Sequence, residues 1–117
     1  MKIKSLGRSA ITIYGTEKLL EWVKEQKPEL HRWSLSELNH HPNIYLVDDE
    51  DQNCWGDCFQ QHFETIFKNQ LLELGLQVPE KLTLEQYREM FRYEYHEFVY
   101  DLSEDELTIE EEWYQSC

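Results

Sequence analysis

Apolar residues along this chain recur with two different periods, and the change of period marks its elements. Residues 9–14 read Ser-Ala-Ile-Thr-Ile-Tyr, a β-branched run stopped by Gly15, which predicts a first strand over 10–14. Over 17–26 the positions Leu19, Leu20, Trp22 and Val23 gather on one side with Glu and Lys opposite, as in an amphipathic surface helix; Thr16 is placed to cap it and Pro28 lies past its end. Ser34 and Glu37 have capping-box spacing and predict a short helical turn that Pro42 ends, followed by a buried second strand over 43–47. The strongest pattern runs over 54–74, where Trp55, Phe59, Phe63, Ile66, Phe67, Leu71 and Leu74 recur at steps of three and four, predicting a long core-facing helix closed by Gly75. Thr83 and Gln86 form another capping box, opening a helix with Leu84, Tyr87, Phe91 and Tyr95 along one face. A third strand is expected over 98–102, beside the first. Leu107 and Ile109 either extend an edge strand or belong to a flexible acidic tail over 103–117.

These elements predict a single α+β domain over 1–117. Its small three- to four-stranded sheet packs against two main helices, in the order β-α-(short α)-β-α-α-β. A chain of 117 residues that is 40% hydrophobic is long and apolar enough to bury a core. No stretch reaches the length of a membrane span and the N-terminus lacks a signal-type apolar run, so the cytoplasm is the expected location. Three cysteines, Cys54, Cys58 and Cys117, make an odd set without a disulfide framework.

The net charge of −13 is unevenly placed: residues 1–32 hold seven Lys or Arg against four Glu, and residues 33–117 hold four against twenty acids. Such a surface repels phosphates and anionic membranes and favours a basic protein partner. The acids Asp48, Asp49, Glu50 and Asp51, with the aromatics Trp113 and Tyr114, are the candidate partner-binding residues. Together with Glu104, Asp105 and Glu106, the same acids offer an alternative in which the chain mimics nucleic acid and fills a basic groove.

The amphipathic stretch 19–23, the turn at 34–38, Tyr45-Leu46-Val47, the aromatic helix through Phe63 and Phe67, and Phe91 ahead of 98–102 together resemble a family of short acidic bacterial proteins of unknown function. The likeness spans most of the chain and is carried by core aromatics and strand residues. It implies a bacterial origin and transfers no catalytic position.

Reactive constellations are sparse. Oxygen ligands at Asp49, Asp51, Asn53 and Asp57 match positions 1, 3, 5 and 9 of a calcium loop, but Cys54 stands where the turn needs glycine and Gln60 where a bidentate glutamate is needed. Cys54, Cys58 and His62 form an i, i+4, i+8 stripe that could present soft ligands to zinc or a thiol to a substrate, but no fourth ligand is evident and the plainer reading is small thiols packed beside the aromatic stripe with His62 at its polar margin. Residues 94–97, Glu-Tyr-His-Glu, resemble an acid and base pair, but the expected step from helix to strand scatters their side chains over different faces, and His96 reads as a surface or core-edge residue hydrogen-bonded to a neighbour. The favoured expectation is a noncatalytic interaction module of the binding or immunity type without a cofactor; a metal- or thiol-dependent enzyme using Cys54, Cys58 and His62 is the alternative from another class.

Overall fold

The computed structural model describes residues 3–48 and 55–111, with side chains from 62 onward in the second stretch. Its strands are β1 (Lys4–Ser5), β2 (Arg8–Gly15), β3 (Asn43–Asp48), β4 (Phe91–His96) and β5 (Tyr100–Asp101). The helices are α1 (Glu17–Gln26), the short α2 (Leu35–Leu38), α3 (Trp55–Glu73) and α4 (Leu84–Met90), with a 3₁₀ turn at Pro28–Leu30. The fold is therefore mixed α+β. Among the described residues it has two antiparallel sheets, one of three strands in the order β3-β2-β4 and one pairing β1 with β5.

Strand β2 is the centre of the larger sheet, and its two neighbours explain its burial. Ile11 lies between Tyr45 and Tyr95, and Ile13 between Asn43 and Tyr93, on the face the helices cover. Leu19 and Val23 of α1, Ile66, Phe67 and Leu71 of α3, Tyr87 of α4 and Phe91 of β4 complete that core. Phe67 and Phe91 meet edge to face at 5.4 Å between ring centres, and Tyr87 lies 5.3 Å from Phe91, within the range where aromatic pairs attract. Tyr45 joins β3 to α3 by donating to Asn69 Oδ1 and accepting from Gln70 Nε2.

Local signals act where their chemistry is complete. Ser34 Oγ accepts from the Glu37 amide, and at α4 both halves of the Thr83–Gln86 capping box are made. Gly75 at φ 72 closes α3 in a Schellman turn: its amide donates to Leu72 O, the Leu76 amide donates to Leu71 O, and Leu71 and Leu76 are both buried. Lys27 Nζ donates to Leu74 O at 3.0 Å, covering another terminal carbonyl. Thr16 behaves otherwise than expected. It makes no side-chain cap for α1 and instead donates to Glu89 O at 2.6 Å.

The third strand also differs from the sequence expectation. The neighbour of β2 is Phe91–His96, where the sequence predicts the end of a helix, while Phe98 and Leu102 stand exposed beyond it. Phe91, Tyr93 and Tyr95 satisfy a period of two as well as Tyr87, Phe91 and Tyr95 satisfy steps of four. The aromatic preference for a pleated surface and pairing with β2 decide between them.

Candidate functional site

The two sheets are consecutive parts of one β ribbon. Beyond Ala10 opposite His96 the ladder resumes with the Leu6 amide donating to Val99 O at 2.8 Å, then with Ser5 opposite Tyr100 and Lys4 opposite Asp101. Three residues, Gly7, Arg8 and Ser9, thus face two, Glu97 and Phe98. One extra residue on one strand is the signature of a bulge, which bends a ribbon and increases its local twist.

Past this bulge the ribbon has two unlike faces. Lys4, Leu6, Val99 and Asp101 are partly buried, whereas Ile3, Ser5, Phe98, Tyr100 and Leu102 are exposed. The alternation follows from the pleat, and continuing the register sets Ile3 opposite Leu102. Ile3, Phe98, Tyr100 and Leu102 are 53, 72, 57 and 75% exposed, so four large apolar side chains stand in water on one side of a ribbon only two strands wide.

Acidic residues are interspersed with these apolar ones along the chain and follow them. Residues 97–111 contain Glu97, Asp101, Glu104, Asp105, Glu106, Glu110 and Glu111 and no Lys or Arg. Three hydrogen bonds shape the turn that carries the middle group: the Ser103 amide donates to Asp101 Oδ1, the Asp105 amide to Ser103 Oγ, and Lys4 Nζ to Asp105 O. Leu107 and Ile109 are exposed and outside any strand.

Of the residues singled out from sequence, Asp48 ends β3, opposite Arg8 at the bulge, and pairs with its guanidinium at 3.6 Å. Asp49, Glu50, Asp51, Cys54, Trp113 and Tyr114 lie outside the described residues, as does the side chain of Cys58. His62 is partly buried on α3. Among the described residues no three His, Cys, Asp or Glu side chains are grouped to hold a metal ion. His96 is exposed on β4 and its Nε2 lies 3.0 Å from Thr12 Oγ1, a cross-strand hydrogen bond. Trp33 lines an open depression of about 300 Å³ with Ser36, Glu37 and His40.

The strand expected over 98–102 contains β5, but its partner is β1 and not the first predicted strand, and the exposure of one of its faces is not legible because nothing local says which strand it pairs with or which face is covered. No helix among the described residues is long and apolar enough to cross a membrane. No family model matches the chain, and no curated protein or solved structure matches it, so a functional reading rests on this surface.

Proposed function

We propose that the protein is a noncatalytic interaction module and that the apolar face of the β1–β5 ribbon is where it binds another protein. The observation that carries this reading is the joint exposure of Ile3, Phe98, Tyr100 and Leu102 on one side of the ribbon. Scattered surface apolar residues are ordinary, but a cluster of large ones rimmed by polar groups marks a place where partners dock. A two-stranded ribbon is also marginal in water on its own, so an added layer over its apolar side stabilises it.

The interleaving of apolar side chains with acids favours a protein partner over the nucleic-acid mimic, whose carboxylates need a row without hydrophobic groups between them. The test is affinity capture from the host's own lysate, using the wild-type chain and a Phe98→Ser/Leu102→Ser variant whose circular dichroism matches it. A stoichiometric chain held by the wild type and lost by the variant is expected. Equal retention by both would place binding elsewhere, and capture of no chain by either would count against the module.

A further inference from the structure

Resting on that interaction reading, the geometry points to the chemistry of the partner: the ribbon receives a basic amphipathic helix. Its apolar stripe covers Ile3, Phe98, Tyr100 and Leu102, and its Lys or Arg residues meet the acids at the rim. The exposed apolar groups project from the ribbon's face rather than its edge. An added strand would extend the edge and leave that face wet, whereas a helix with apolar residues at i, i+3, i+4 and i+7 lays a stripe across it.

Charge selects the sign of the occupant. Seven acids and no base occur over 97–111; of the bases on the facing strand, Lys4 is turned to Asp105 O and Arg8, at the bulge, pairs with Asp48. The hydrogen-bonded turn over 101–105, tied to Asp101 and Lys4 on the ribbon's other face, carries exposed Glu104 and Asp105 directly after Leu102 in the chain. A second copy would bring the same acids to the same rim and a further charge of −13, so like charges would oppose it. The other uncovered apolar surface, Ile44 and Leu46 on the sheet face away from the helices, has Arg92 as well as Glu94 and His96 on the same face and selects no sign.

The probe is a synthetic helical peptide of about 18 residues with Leu along one face and Lys elsewhere, a length that gives roughly five turns. It is compared with peptides carrying Gln or Glu in place of Lys, by calorimetry and amide exchange on the full chain. We expect the Lys peptide to bind most tightly, to weaken as salt rises, to slow exchange at Leu6, and to lose about tenfold or more in affinity to Phe98→Ser/Leu102→Ser, as truncation of anchor residues does. A Glu104→Gln/Asp105→Asn/Glu106→Gln variant is expected to lose most of the salt dependence while keeping the apolar contact.

Equal binding of the Lys peptide to the Phe98→Ser/Leu102→Ser variant would reduce the effect to bulk charge and overturn the proposal. Equal binding of the Gln peptide, or a dimer in sedimentation that the same substitutions abolish, would overturn the partner's basic character and leave the docking face standing. If neither self-association nor any peptide depends on Phe98 and Leu102, the interaction reading fails with it.

Discussion

Tyr87 is 2% exposed among Phe63, Phe67 and Phe91, and its phenol is pushed above the ordinary tyrosine range by burial, with Tyr45 and Tyr93 adding to the shift. A raised folded-state value means that the contribution of the protonated phenol is complete below the unfolded-state value of about 10 and declines above it, where the unfolded chain ionises first. The denaturation midpoint is therefore expected to fall between about pH 9 and 11, and to fall less steeply in Tyr87→Phe, because that variant has no proton to lose here. Equal slopes for the two chains would show that other tyrosines carry the effect. The position was legible as core from the steps of three and four around it. Its titration was not, because desolvation depends on what α3 and β4 bring from elsewhere in the chain.

Between elements, Asn39 does what no periodic pattern announces. Its side chain accepts from the Gly15 amide at 2.7 Å and donates to Gly15 O at 3.0 Å, pinning the end of β2 to the residue that follows α2. Gly15 has to be small there, since an added methyl would sit 2.7 Å from Leu38 and 2.8 Å from Leu19. Asn39→Ala removes both hydrogen bonds, and we expect a loss of about 1–3 kcal/mol in unfolding free energy, measured by urea denaturation. A change below about 0.5 kcal/mol, the range of ordinary surface substitutions, would mean that water replaces the amide without cost. Elements whose determinants are local were the readable ones. The N-cap at Ser34, the capping box at Thr83 and the glycine turn at Gly75 need only neighbours within six residues. Strand β4 and the pairing of β5 are not legible in the sequence because they are decided by residues about 80 to 100 positions away, and a period of two in aromatics is compatible with helix until that partner is known.

Across the whole molecule, charge is the term least balanced by structure. The described residues include two exposed ion pairs, Arg8 with Asp48 and Lys18 with Glu89, against a net charge of −13. Exposed pairs contribute little, whereas self-repulsion acts over the whole surface and is screened by salt. The melting temperature is therefore expected to rise as sodium chloride goes from about 10 to 300 mM, over which the screening length falls from about 30 Å to well under 10 Å. A fall instead would assign the dominant electrostatic role to attractive pairs.

The single spare residue over 7–9 has a consequence for solubility. Without it the ladder would run in one register from β2 and β4 into β1 and β5, and Tyr100 and Leu102 would stand opposite Leu6 and Lys4 in place of Ser5 and Ile3, with no bend between the ribbon and the sheet edge that carries His96. A long, flat, apolar plane open at its edges is the template on which chains stack into fibres. The bulge at residues 7–9 works against such a plane, because the bend and added twist it brings to the ribbon oppose a straight, flat surface on which identical copies could stack.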